Sequence, residues 1–191
     1  MPPRAHPSVL CTATIVREDA NSDAPFAIRS IALFTACRLG EDEMQFELAH
    51  KAFDCSMPRT EILDGLTCRI PPGATLIIRG AAPGPNDLRR ALTTGTDCEA
   101  DVGFIARRTD RVSIYMIDCA DEQIEDLATR FDLQLASEGA LLAERCRCAP
   151  AEVQAIWANF VCAVSEIQEA RTLIAAFRAW QALEKAKPLP F

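Results

Sequence analysis

Residues 74–92 constrain the fold most, because they place a strand, a turn and a helix in direct succession. Residues 75–78 form a short apolar run with β-branched side chains, bounded by proline and glycine before it and by Gly80 after it, as in a buried strand. The Pro-Gly-Pro turn beyond cannot continue the strand, and Asn86 or Asp87 can cap the following helix. In sheets covered by helices, ligands bind outside the carboxyl ends of the strands. We therefore expect Asp87 to lie near any ligand site.

Other apolar runs predict the remaining strands of a sheet. Strands are expected at residues 8–16, 27–39 and 112–117, where β-branched and apolar side chains are dense. Residues 44–53 fit either a third, antiparallel strand or a short helix, and their period does not decide between the two. The first three segments together resemble the opening meander of a mixed sheet.

Helical patterns occupy most of the rest of the chain. Residues 58–66 predict a helix that crosses back to the strand at 75, and a second helix begins at Asp121. Residues 151–186 are strongly helical, with Pro150 before them and a break near Ser165.

These elements predict a single α/β domain. Its central sheet is mixed, has about five strands and is flanked by helices on both faces. The domain spans residues 8–186, with residues 1–7 and 187–191 as tails. The length of 191 residues is sufficient for one sizeable core.

Hydropathy and the N-terminal segment indicate the environment of the protein. No apolar run reaches the roughly 18 to 20 residues of a membrane span. The first residues lack the apolar h-region of an export signal. We expect a soluble, cytoplasmic protein with no membrane association.

The nine cysteines predict reduced thiols rather than disulfides. Most of them lie among apolar neighbours, as free core cysteines do. Cys146 and Cys148 form the one close pair, but their spacing is not that of a zinc site and no second pair completes one. We expect all nine to stay reduced and metal-free, and we expect no cofactor.

The charge balance opposes non-specific binding to a duplex. The formal net charge is −7, whereas such binding depends on neutralising phosphates. Any nucleic-acid contact must therefore be local, through Arg89 and Arg90 or through the cluster of Arg107, Arg108 and Arg111.

The order of elements, with three leading strands, a helix, a strand with an Asn-containing turn and helix, and further helices, resembles the ribonuclease H-like 3′–5′ exonucleases. The likeness is to the DnaQ-like and B-family polymerase proofreading domains. Residues 76–92 resemble the second motif of that family, in which an Asn-containing turn leads to Phe-Asp-Leu and a helix. Residues 124–133 resemble the helix before its last motif, and residues 162–180 resemble its final helix.

The resemblance implies a site for two divalent ions held by about four carboxylates. Two of these acids normally form an Asp-x-Glu in the first strand, where this chain has Cys11 and Ala13; the second strand offers Phe34 and Ala36 instead. The remaining candidate acids, as relics of a metal site, are Asp87, Asp118, Glu166 and Glu169. Since strand side chains alternate, we expect Cys11 and Ala13 to share a face that looks across at Asp87 and at Glu166 or Glu169.

A thiol and a methyl group cannot replace two carboxylates as ligands of a hard cation. The resemblance therefore implies a catalytically degenerate exonuclease-like protein that binds single-stranded nucleic acid or a protein partner. One alternative is an active 3′–5′ exonuclease that uses displaced acids with magnesium or manganese. Another is a helical protein–protein interaction module with no nucleic-acid role. The sequence does not set the oligomeric state.

Overall fold

The fold is seen in a computed structural model, which describes residues 8–18, 27–40, 43–54, 56–79, 104–108, 113–117, 121–137 and 139–187. The strands in these ranges are β1 (Val9–Arg17), β2 (Ile28–Arg38), β3 (Met44–Ala52), β4 (Thr75–Arg79) and β5 (Ser113–Ile117). The longer helices are α1 (Arg59–Thr67), α2 (Asp121–Arg130), α3 (Leu142–Val164) and α4 (Ile167–Ala186). A short helical segment covers residues 104–108.

The strands form one five-stranded sheet in the order β3-β2-β1-β4-β5. β2 is antiparallel to both β1 and β3, whereas β4 is parallel to β1 and β5 is parallel to β4. The carboxyl ends of β1, β4 and β5 therefore lie along the same edge. The predicted α/β class, with a mixed sheet of about five strands flanked by helices, is confirmed.

Strand β3 resolves the segment that the sequence left open between strand and helix. It pairs with β2 along its whole length, from Met44 opposite Arg38 to Ala52 opposite Ser30. Only Phe46 of this edge strand is buried. The alternation of apolar and polar residues along β3 is weak because so few of its side chains are buried. Pairing with β2 makes this segment a strand rather than a helix.

One face of the sheet is covered by α1. Ile62, Leu63 and Leu66 of this helix lie on the same side and pack against the central strands. We call this buried set the α1-side core; its buried members are Cys11, Ala13, Ile28, Ile31, Leu33, Ile62, Leu63, Leu66, Ile70, Ala74, Leu76, Ile78 and Ile105.

The opposite face is covered by α2, α3 and α4, and we call its apolar interior the α3-side core. Phe34 of β2 lies at its centre, with ring centroids 5.6 Å from Trp157, 5.6 Å from Phe177 and 5.4 Å from Trp180. Such tilted and edge-to-face pairs add to the free energy of burial. The aromatic cluster attaches α3 and α4 to β2 and, through Phe46, to β3.

Helix α3 departs from the sequence prediction at its start. It begins at Leu142 rather than at residue 151, so Pro150 lies inside the helix instead of before it. Proline removes one helical hydrogen bond, but its buried neighbour Ala149 packs this turn into the α3-side core. The break predicted near Ser165 is confirmed, because Ser165 is extended with ψ 151° and separates α3 from α4. Across the described ranges, no helix has the length and apolar character needed to cross a bilayer.

Candidate functional site at the first strand

The two first-strand positions of the expected metal site point into the α1-side core. Cys11 is 0% exposed and Ala13 is 1% exposed. The Sγ atom of Cys11 lies 3.5 Å from Oγ1 of Thr35 on the neighbouring strand. These two side chains therefore contact apolar groups and one hydroxyl beneath α1.

Burial determines the protonation of Cys11. Removal from water raises its thiol pKa from 9.0 to about 11, against the smaller lowering effect of the hydrogen bond with Thr35. The thiol is therefore neutral near pH 7. A neutral thiol next to an alanine methyl does not provide the oxygen ligands that magnesium or manganese prefers.

Thr12, between these two residues, points to the other face of β1. Its Oγ1 donates a hydrogen bond to the main-chain oxygen of Val153 on α3, at 2.8 Å. Strand alternation thus assigns Thr12 to the α3-side core and its two neighbours to the α1-side core.

The candidate acids of the last helix lie on the face that Thr12 points to. Nη2 of Arg38 donates a hydrogen bond to Oε1 of Glu169 at 2.8 Å, and Leu173 and Phe177 pack α4 into the α3-side core. The exposed Glu166 precedes α4, and its main-chain oxygen accepts a hydrogen bond from the N–H of Ala170. The expectation that Cys11 and Ala13 face Glu166 or Glu169 is therefore wrong, because the sheet lies between them.

Five of the predicted site residues lie outside the described residues. They are Asp87, Asp118, Arg89, Arg90 and Arg111. Their assignment as relic acids and nucleic-acid contacts stays a prediction.

Arg108, from the second arginine cluster, makes contacts within the fold. Its Nη1 lies 2.6 Å from Oδ1 of Asp64 on α1, and its guanidinium lies 4.7 Å from the ring centroid of Phe104. These contacts are partly exposed, so they fix the orientation of the side chain more than they stabilise the protein. Part of the positive charge of Arg108 is thereby balanced by a carboxylate.

The described part of the chain contains no group of three or more histidine, cysteine, aspartate or glutamate side chains that could hold a metal ion. The cysteines described as free thiols are Cys11, Cys37, Cys68, Cys146, Cys148 and Cys162. Burial raises the pKa of the Cys146 thiol as well, more than the nearby Arg145 lowers it. The prediction of nine reduced, metal-free thiols stays a prediction for the whole chain.

Among the cavities of the described part of the chain, two bear on a ligand site, and the sequence analysis identified neither. One, of about 580 Å³, opens at the carboxyl end of β1 and is lined by Thr14, Val16, Glu125, Arg145 and Glu152 among others. Its place agrees with the rule for ligand sites at strand ends. In the sequence, the only indication of this cavity was that residues 14–16 lie at the end of a predicted strand.

A second cavity, of about 350 Å³, lies between α1 and the β2–β3 pair. Gly65, in the last turn of α1, forms part of its wall. Glycine inside a helix lowers the stability of the helix. The glycine within the helical pattern of residues 58–66 was therefore the one indication of this cavity in the sequence.

No protein-family model and no curated protein matches this chain.

Proposed function

We propose that this protein is a ribonuclease H-like binding module without nuclease chemistry. The order of its elements supports the fold assignment: three antiparallel strands come first, then α1, then the parallel strands β4 and β5, and then the helices α2 to α4. This order agrees with the one on which the sequence resemblance rests, although the expected turn and helix at 86–92 lie outside the described residues. This proposal is the catalytically degenerate, exonuclease-like protein that the sequence resemblance implies.

The environment of Cys11 and Ala13 carries the proposal. The resemblance requires two carboxylates there, and both positions are buried among apolar side chains. Glu169, an acid of the expected set, is on the other side of the sheet and is paired with Arg38. Two divalent ions need several carboxylates that converge on one point, which this arrangement does not supply.

The preferred partner is a protein rather than a nucleic acid. The chain has 27 acidic against 20 basic residues, which disfavours contact with a phosphate backbone. Large apolar side chains are exposed on both sides of the α3–α4 junction, with Val164 at 51% and Ile167 at 75%. Leu183, near the end of α4, is 68% exposed. Val164 and Ile167 are neighbours at this junction, and adjacent exposed apolar side chains are typical of protein contact surfaces.

The same observation favours the second candidate, a helical interaction module in which the sheet serves only as a support. The two candidates share a protein partner and differ in the role of the sheet. If the protein is a helical interaction module, the substitution Ile167→Glu should abolish binding of the partner protein. If it is a ribonuclease H-like binding module, part of the binding should remain, because the edge of the sheet can contact the partner as well.

The test is incubation with a labelled single strand of DNA or RNA, with and without millimolar magnesium or manganese. We expect no metal-dependent cleavage and only weak binding by fluorescence anisotropy. Metal-dependent cleavage that is lost in Asp87→Asn or Glu169→Gln would overturn the proposal in favour of an active exonuclease. Cleavage retained at full rate after amide substitution of all four candidate acids, Asp87, Asp118, Glu166 and Glu169, identifies a contaminating nuclease and leaves the expected result standing. Tight strand binding would overturn the preference for a protein partner.

A further inference from the structure

The cavity between α1 and the β2–β3 pair has the features of a small-molecule site. Its volume of about 350 Å³ lies near the lower end of the range for ligand cavities, roughly 300 to 1,000 Å³. We call it the α1 cavity; it is lined by residues of β2, β3 and α1, together with Phe53 and Arg69.

The floor of the α1 cavity is apolar. It consists of Ile31 and Leu33 from β2, Ala49 from β3, and Ile62 and Leu66 from α1. Ile31, Leu33, Ile62 and Leu66 belong to the α1-side core and are almost fully buried. A ligand that covers this floor must itself have an apolar body.

Gly65 keeps the wall of the cavity open. A Cβ atom at this position would have nothing within 4 Å, so close packing does not require glycine here. Its backbone is helical and lies within the nine-residue helix α1, where glycine lowers stability relative to alanine. The consequence of glycine at this position is open space above the apolar floor.

The rim of the cavity carries more positive than negative charge. Lys51 and Arg69 line it, together with the single carboxylate of Glu61. Nζ of Lys51 lies 5.4 Å from the ring centroid of Phe53, another lining residue, which holds the ammonium group near the mouth. An apolar floor beneath a net positive rim is complementary to an apolar chain that ends in an anion.

From the floor, the open glycine wall and the charged rim together, we propose that the α1 cavity binds a small amphipathic carboxylate of the medium-chain fatty-acid type. The chain covers the floor below Gly65, and the carboxylate lies at the rim beside Lys51 and Arg69. This ligand site is separate from the protein-binding role proposed above and does not depend on it.

The test is isothermal titration calorimetry of the full chain with hexanoate, octanoate and octan-1-ol. Affinity for octanoate should exceed that for hexanoate by about fifteenfold, because each buried methylene contributes about fourfold. Octan-1-ol, which lacks the charge, should bind more weakly than octanoate. The double variant Lys51→Gln with Arg69→Gln should weaken octanoate binding about fivefold, as partly exposed ion pairs do, and leave octan-1-ol unchanged.

Gly65→Leu is the decisive variant. Leucine is a better helix former than glycine and has open space at this position, so the variant should keep or raise its melting temperature. It should lower octanoate affinity at least tenfold, because its side chain fills the cavity. Thr60→Leu, at an exposed position of α1 that does not line the cavity, is the matched control and should bind normally.

Three results would overturn the proposal. They are no octanoate binding at millimolar concentration, equal affinity for the two chain lengths, and unchanged affinity in Gly65→Leu. Each of these can be obtained with a folded protein, which the melting temperature verifies.

Discussion

The hydroxyl of Thr12 on β1 donates a hydrogen bond to the main-chain oxygen of Val153 on α3, although the two residues are 141 positions apart in the chain. Thr12 and Val153 are both fully buried. This contact joins the central strand to the longest helix, and it shows which face of β1 the helix covers.

Replacing Thr12 by valine should lower the free energy of unfolding by about 1 kcal/mol, because a buried hydrogen bond is lost while the shape is kept. Urea unfolding of the two proteins measures the difference. Thr14→Val, at a partly exposed position of the same strand, is the control and should change the free energy by less than about 0.5 kcal/mol. Equal losses in both variants would contradict the assigned role of Thr12.

Cys11 should make the protein sensitive to alkaline pH. Its pKa is raised from 9.0 to about 11 in the folded state, so the unfolded state releases the proton first as pH rises. The thiol therefore contributes about 2 to 3 kcal/mol to the free energy of unfolding. This contribution is fully present below pH 9 and is lost as the pH rises toward 11.

The measurement for Cys11 is the free energy of unfolding as a function of pH for the natural protein and for Cys11→Ala. The other titrating groups are common to both proteins, so the difference between the two curves isolates Cys11. We expect the natural protein to lose more stability than the variant across this pH interval. Parallel curves would show that the thiol is not shielded from water.

Introducing an acid at Ala13 should destabilise the protein without creating a metal site. Ala13→Glu puts a carboxylate into the α1-side core and should cost about 3 kcal/mol or more, as an unpaired buried charge does. Millimolar magnesium should not restore the melting temperature, since a ligand stabilises the folded state only if it binds there. Ala13→Gln, whose side chain has a similar shape but no charge, is the control. It should lower the free energy of unfolding by less than Ala13→Glu does. Recovery of Ala13→Glu in magnesium would mean that other acids reach this position.

The ion pair between Arg38 and Glu169 should contribute modestly to the docking of α4. The side chains are 36% and 26% exposed, and their charged atoms are 2.8 Å apart. A double-mutant cycle with Arg38→Met and Glu169→Gln should give a coupling of about 0.5 to 1 kcal/mol. The coupling should decrease in high salt because exposed charges are screened. A coupling of zero would leave Glu169 available for other interactions.

The local sequence determined most of the secondary structure. The β-branched runs predicted β1, β2, β4 and β5 to within about one residue at each end. Proline, glycine and the helical period placed α1, and Ser165 was correctly predicted as the break between the long helices. These features depend on backbone preferences of neighbouring residues, which a sequence carries directly.

Tertiary packing decided the features that bear on function. Alternation along β1 predicted that Cys11 and Ala13 share a face, but only the placement of α1 showed that this face is apolar and is opposite to Glu169. Contact with the sheet also extended α3 back through Pro150, against the local rule for proline. Strand alternation leaves the two faces of a sheet equivalent until helices cover them. The chemistry of each face therefore depends on contacts between residues that are distant in the sequence.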